Sequence, residues 1–84
     1  MIVLEVTITY CGYRTIRYTL PDQTQHRING WAFRRWYRNG RLVDERWIQH
    51  GELHRVGLKP AYTRWRIDGS VWWKSYWING VKQL

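Results

Sequence analysis

The chain has 84 residues, 14 Lys and Arg against 6 Asp and Glu, and a formal net charge of +8. That length allows one domain with a thin core; the single cysteine excludes an internal disulfide framework, and no apolar run approaches the roughly 18 residues of a membrane span. Seven Trp and six Tyr are expected to enlarge the core and to populate binding surfaces, and eleven of the cations are Arg, the side chain suited to planar contact with phosphate or carboxylate.

Residues 1–20 predict a β-hairpin. Ile2, Leu4, Val6, Ile8 and Tyr10 alternate with polar or smaller neighbours, and Ile16, Tyr18 and Leu20 do the same on the second arm, the period of two expected of a half-buried strand. No basic segment precedes the first apolar run and Glu5 interrupts it, so a signal peptide is not expected. A two-residue Cys11-Gly12 turn would set Ile8 against Thr15 and Val6 against Arg17. A three-residue loop, Cys11-Gly12-Tyr13, sets Ile8 against Ile16, Val6 against Tyr18 and Leu4 against Leu20. Register follows the buried face, so the three-residue loop is the expectation. Residues 21–25 open with Pro21, bury nothing, and read as a connection.

Residues 26–53 and 54–84 repeat. Shifting the first by 29 positions lays Ala32 on Ala61, Phe33 on Tyr62, Arg35 on Arg64, Trp36 on Trp65, Asn39 on Asp68 and Gly40 on Gly69. His26-Arg27 and His54-Arg55 recur as the lead-in, one residue out of step. A repeat this short points to a supersecondary unit stacked on its copy. Asn39-Gly40 predicts a two-residue type I′ hairpin turn. It pairs Arg35 with Asp44, Arg34 with Glu45, Trp36 with Val43 and Ala32 with Trp47. Two opposite-charge pairs in one register favour strands over the rival, a helix across residues 31–38 capped at Gly40. His50-Gly51 sets Ile48 against Leu53. Asp68-Gly69 sets Trp65 against Trp72, Arg64 against Trp73 and Ala61 against Tyr76. Asn79-Gly80 leads into a short closing strand.

The fold expected is therefore mainly β, a single-domain antiparallel meander. One face would carry Ala32, Trp36, Val43, Trp47, Ala61, Trp65, Trp72 and Tyr76 and be buried. The N-terminal hairpin is expected to pack on that face, giving two layers or a strongly curled sheet. The other face interleaves cations with rings, and Arg35, Tyr37, Arg46, Arg55, Tyr62, Arg64, Arg66 and Trp73 are the candidate binding residues.

Trp36-Tyr37-Arg38-Asn39-Gly40-Arg41-Leu42 resembles the W-Y-x-N-G-x-L hairpin unit of MORN-like repeats. His54-Arg55-Val56-Gly57 with Pro60-Ala61 resembles the H-R-x-x-G-P-A connector found in small proteins of phages, giant viruses and bacteria. The likeness covers residues 26–84 and departs where Leu58-Lys59 intervenes before Pro60 and where Trp31 replaces the proline. It implies a non-catalytic sheet used for protein contact, in some members for association with anionic lipid. Phage members imply a small accessory protein in the bacterial cytoplasm, some of which block host defence in the manner of an anti-CRISPR.

No enzyme is expected. His50-Gly-Glu-Leu-His54 is not H-E-x-x-H, and Gly51 at a turn removes the helix a zincin needs. Cys11 has no histidine nearby in sequence to hold a thiolate, and the carboxylates form no acid–base pair. No cofactor or metal is expected. The leading functional expectation is binding of nucleic acid, or of a complex containing it, with Arg on phosphates and rings on unpaired bases. The alternative is a protein inhibitor or adaptor meeting an acidic surface, or a host defence or nuclease complex; the third is attachment to anionic lipid.

Overall fold

The computed structural model describes residues 3–84 and consists of β-strands and turns with no helix among them. The strands are β1 (Leu4–Tyr10), β2 (Tyr13–Thr19), β3 (Phe33–Trp36), β4 (Leu42–Arg46), β5 (Ile48–Gln49), β6 (Glu52–Leu53), β7 (Tyr62–Trp65), β8 (Val71–Ile78) and β9 (Val81–Gln83). Seven form one antiparallel meander in the order β1-β2-β3-β4-β7-β8-β9, while β5 and β6 make a small hairpin of their own. The expected strand through Trp36 is present. Ile2, placed in the first strand by its periodicity, lies outside the described residues.

The first hairpin departs from expectation. Its loop has two residues, and Ile8 pairs with Thr15, Val6 with Arg17 and Leu4 with Thr19. Cys11 (φ 51°) and Gly12 (φ 82°) both adopt the left-handed conformation of a type I′ turn. Apolar matching could not set this register because β1 is an edge strand, exposed at every position but Val6. Without a buried face to enforce pairing, the turn decides it.

The repeat hairpins keep the expected charge register by a different route. Arg34 pairs with Glu45, Arg35 with Asp44 and Arg64 with Trp73, but Trp36 meets Leu42 and Trp65 meets Val71. The amide of Gly40 donates to the Tyr37 carbonyl and that of Gly69 to the Arg66 carbonyl, and only the glycine of each Asn/Asp-Gly pair has positive φ. Each loop is thus a three-residue loop (38–40 and 67–69), a type I turn closed by a left-handed glycine. The Oδ1 atoms of Asn39 and Asp68 accept from the amides of Arg41 and Ser70. A β-bulge then leaves Val43 and Trp72 unpaired, which restores the register the charge pairs require. His50-Gly51 and Asn79-Gly80 are type I′ turns with positive φ at both residues, and Ile48 pairs with Leu53 as expected.

The two histidine lead-ins perform the same task. His26 Nδ1 accepts from the His50 amide at 2.8 Å, and His54 Nδ1 accepts from the Asn79 amide at 2.9 Å. Beside them the Arg27 amide donates to the Ile48 carbonyl and the Arg55 amide to the Trp77 carbonyl. Each lead-in therefore clamps the turn that ends its own repeat. The repeats are stitched together by the Tyr37 hydroxyl, which donates to the Trp65 carbonyl, and by Asn39 Nδ2, which donates to the Ile67 carbonyl.

The expected second layer does not form. Strand β2 hydrogen-bonds along β3, so the N-terminal hairpin extends the sheet rather than covering it. The molecule is a slab of 33 × 32 × 15 Å, in keeping with one continuous seven-stranded sheet. The greasy-face, charged-face division holds only in part: Ala32, Val43 and Ala61 are buried as expected. Phe33 and Ile48, assigned to the charged side, are buried, whereas Trp72, assigned to the core, is 54% exposed. On the side expected to be greasy, guanidinium groups lie over the rings: Arg14 over Trp36 at 4.4 Å and Arg55 over Trp47 at 3.8 Å. A one-layer sheet hides its rings beneath the stems and planes of arginines because nothing else is available to cover them.

Candidate functional site

Cross-strand partners share a face, so the pairing register sorts the arginines. One row runs Arg17, Phe33, Arg46, Tyr62, Ser75, and the next on the same face runs Thr15, Arg35, Asp44, Arg64, Trp73. Six of the eight candidate residues lie on this face: Arg35, Arg46, Tyr62, Arg64 and Trp73 by pairing, and Tyr37 two residues beyond Arg35. Arg46 stands between two rings, 4.7 Å from the centroids of both Phe33 and Tyr62, and donates to the Tyr62 hydroxyl at 3.0 Å. Tyr62 in turn lies against Trp73, with centroids 4.8 Å apart. Arg64 lies 5.2 Å from the Trp72 ring, which the bulge has brought to this side. These rings hold the cations in place without consuming their charge.

Among the described strand residues the only carboxylate on this face is Asp44, which is 1% exposed. Its strand neighbours are Arg35 and Arg64, and Arg46 approaches its Oδ2 at 3.8 Å. Burial raises the carboxyl above its ordinary range, against the opposing pull of Arg46, Arg35 and Arg64. Asp44 Oδ1, Arg46 Nε and Arg64 Nε are all buried without a hydrogen-bond partner. The carboxylate therefore lies beneath the guanidinium groups and leaves an outward surface that is cationic.

Arg55 and Arg66 stand apart. Arg55 lies on the opposite face, over Trp47, with its Nη1 3.9 Å from Glu45 and donating to the Pro60 carbonyl. Glu45, 8% exposed, also accepts from Arg34 Nε at 2.7 Å and from Trp47 Nε1 at 2.8 Å. Arg34 and Arg55 on that face are thus matched by a carboxylate within reach, while Arg14 lies over Trp36. Arg66 sits in the 66–70 turn and donates to Ser70 Oγ and the Val71 carbonyl.

Several residues of the site were not expected from the sequence. Tyr10, Tyr13, Trp72 and Trp73 are 76%, 42%, 54% and 39% exposed, more than structural rings in a small protein require, and three of the four were not candidates. Tyr10 and Tyr13 face each other across the first turn, and Gly12, able to take the positive φ of a two-residue turn, was the signal that would have placed them. The Trp72 displacement was legible only from the bulge. Among the described residues no three His, Cys, Asp or Glu side chains gather as metal ligands. The chain matches no protein-family model, no curated protein and no solved structure.

Proposed function

We propose that this chain is a non-catalytic basic module that binds nucleic acid through the face bearing Arg35, Arg46 and Arg64. The observation that carries the reading is the asymmetry between the faces. Here the guanidinium groups are held by rings over a buried Asp44, with Trp72 and Trp73 exposed beside them, whereas the opposite face matches Arg34 and Arg55 with Glu45. Cations fixed at a surface beside exposed indoles suit a polymer of phosphates and flat bases better than a protein carboxylate patch, which offers nothing to stack. The MORN-like hairpin unit supports the non-catalytic part of the proposal.

Titration of labelled single- and double-stranded oligonucleotides in rising salt tests it. Three phosphate contacts predict a log–log slope of about −2 for a single strand. Absence of binding at low salt refutes the proposal. Retention of a stable protein partner from nuclease-treated lysate, together with no oligonucleotide binding, would favour the inhibitor reading in its place.

A further inference from the structure

The same face carries a cleft where the N-terminal hairpin meets the first repeat. Its volume is about 330 Å³, and Ile8, Tyr10, Tyr13, Arg35, Tyr37 and Val43 line it. That is the lower end of the range for small-molecule sites and suits one small flat group. Val43, the bulge residue, is 7% exposed, while Tyr10 and Tyr13 remain open to solvent. The Tyr13 and Tyr37 rings are inclined at 57° with centroids 6.4 Å apart, so they do not stack on each other and a ring face stays free. The Tyr37 hydroxyl is tied to the Trp65 carbonyl, which fixes that wall. Arg35 is exposed at the border, and the Arg38 guanidinium lies 5.8 Å from the Tyr13 ring, its Nε donating to the Cys11 carbonyl. Among the described residues no carboxylate lines the cleft.

Resting on the nucleic-acid reading, we infer that this cleft is a subsite for one unpaired base, so that the protein prefers single-stranded to duplex nucleic acid. The tyrosines supply the stacking surface, and Arg35 and Arg38 lie where the phosphates flanking that base would run. A duplex offers its phosphates to the arginine row but keeps its bases paired, and entering the cleft would require a base to be flipped out at an unstacking cost.

Anisotropy titrations with a labelled oligothymidine, the same length of abasic strand and a hairpin duplex test the inference at one salt concentration. The wild-type chain should bind the base-bearing strand about tenfold more tightly than the abasic strand, the equivalent of ~1.4 kcal/mol and within the range of stacking on aromatic side chains. Tyr10→Ala and Tyr13→Ala, each at an exposed position, should remove most of that preference and leave duplex affinity unchanged. Tyr13→Phe should retain it, which also controls for damage to the hairpin. Equal affinity for base-bearing and abasic strands, or equal loss on strand and duplex, would overturn the cleft while leaving the arginine face standing. Failure of all three probes to bind the wild type would remove both readings.

Discussion

His26 is the most enclosed titratable side chain of the fold, 0% exposed, and its Nδ1 accepts the His50 amide at 2.8 Å. Replacing it with Ala strands that amide, at about 1–3 kcal/mol, and empties an enclosed space the size of an imidazole ring, adding about 1–2 kcal/mol at ~24 cal/mol per Å³. His26→Ala should therefore cost about 2–5 kcal/mol, a large share of the stability of so small a domain, and lower Tm by more than about 10 °C. His54 makes the equivalent bond to Asn79 at a half-buried position whose amide water can reach, so His54→Ala should cost about 1 kcal/mol. Urea unfolding followed by tryptophan fluorescence measures both. The His26 clamp also carries a pH dependence. Burial, with His50 beside it, lowers the His26 imidazole below its ordinary range, and an Nδ1 that accepts a hydrogen bond cannot hold a proton. The unfolded chain protonates first, so stability should fall as pH drops below about 6.5 and level off beneath the folded-state pKa. His26→Gln should lack that contribution. Equal costs for His26→Ala and His54→Ala, or a pH profile unchanged in His26→Gln, would refute the clamp.

Glu45→Gln should cost about 2–3 kcal/mol in urea unfolding, because it weakens the hold on Arg34, Arg55 and Trp47 at once. Asp44→Asn should tighten oligonucleotide binding about two- to fivefold, measured by anisotropy at low salt, since it removes the one negative charge of the arginine face. The raised carboxyl of Asp44 means that the unfolded state releases its proton first, so wild-type stability should lose this contribution as pH rises through about 4 toward the folded-state value, a loss absent from Asp44→Asn. Arg35→Gln should reduce the single-strand salt slope by about 0.7, whereas Arg34→Gln should leave the slope unchanged and lower stability. Cys11→Asn should raise Tm slightly, worth up to about 1 kcal/mol, because it supplies the residue that type I′ turns favour where φ is 51°.

Much of the meander was legible because charge pairing and turn chemistry agreed. Arg34–Glu45 and Arg35–Asp44 gave the register of the first repeat, and the 29-residue offset carried it to the second. What could not be read was the number of layers. Apolar matching misplaces the register of the first hairpin because the matched face, in a one-layer sheet, is not buried, and the two-residue turn at Cys11-Gly12 decides it instead. The three-residue loops escaped notice because loop and bulge compensate, leaving the charge pairs where a two-residue turn would put them. Val43 and Trp72, the residues displaced by that compensation, are the ones that shape the cleft and the exposed indole edge. The arginine row was visible in sequence, but its contrast with the opposite face depends on Glu45 reaching Arg55, a contact that only the folded connector brings about.

Backbone and indole N–H chemical-shift mapping with an unlabelled single-stranded oligonucleotide at low salt tests the central claim most directly. Perturbations should concentrate at Arg35, Arg46, Arg64, Trp72 and Trp73 and fade as salt is raised. A footprint centred on Arg14, Arg34 and Arg55, or a spectrum indifferent to the oligonucleotide, would contradict it.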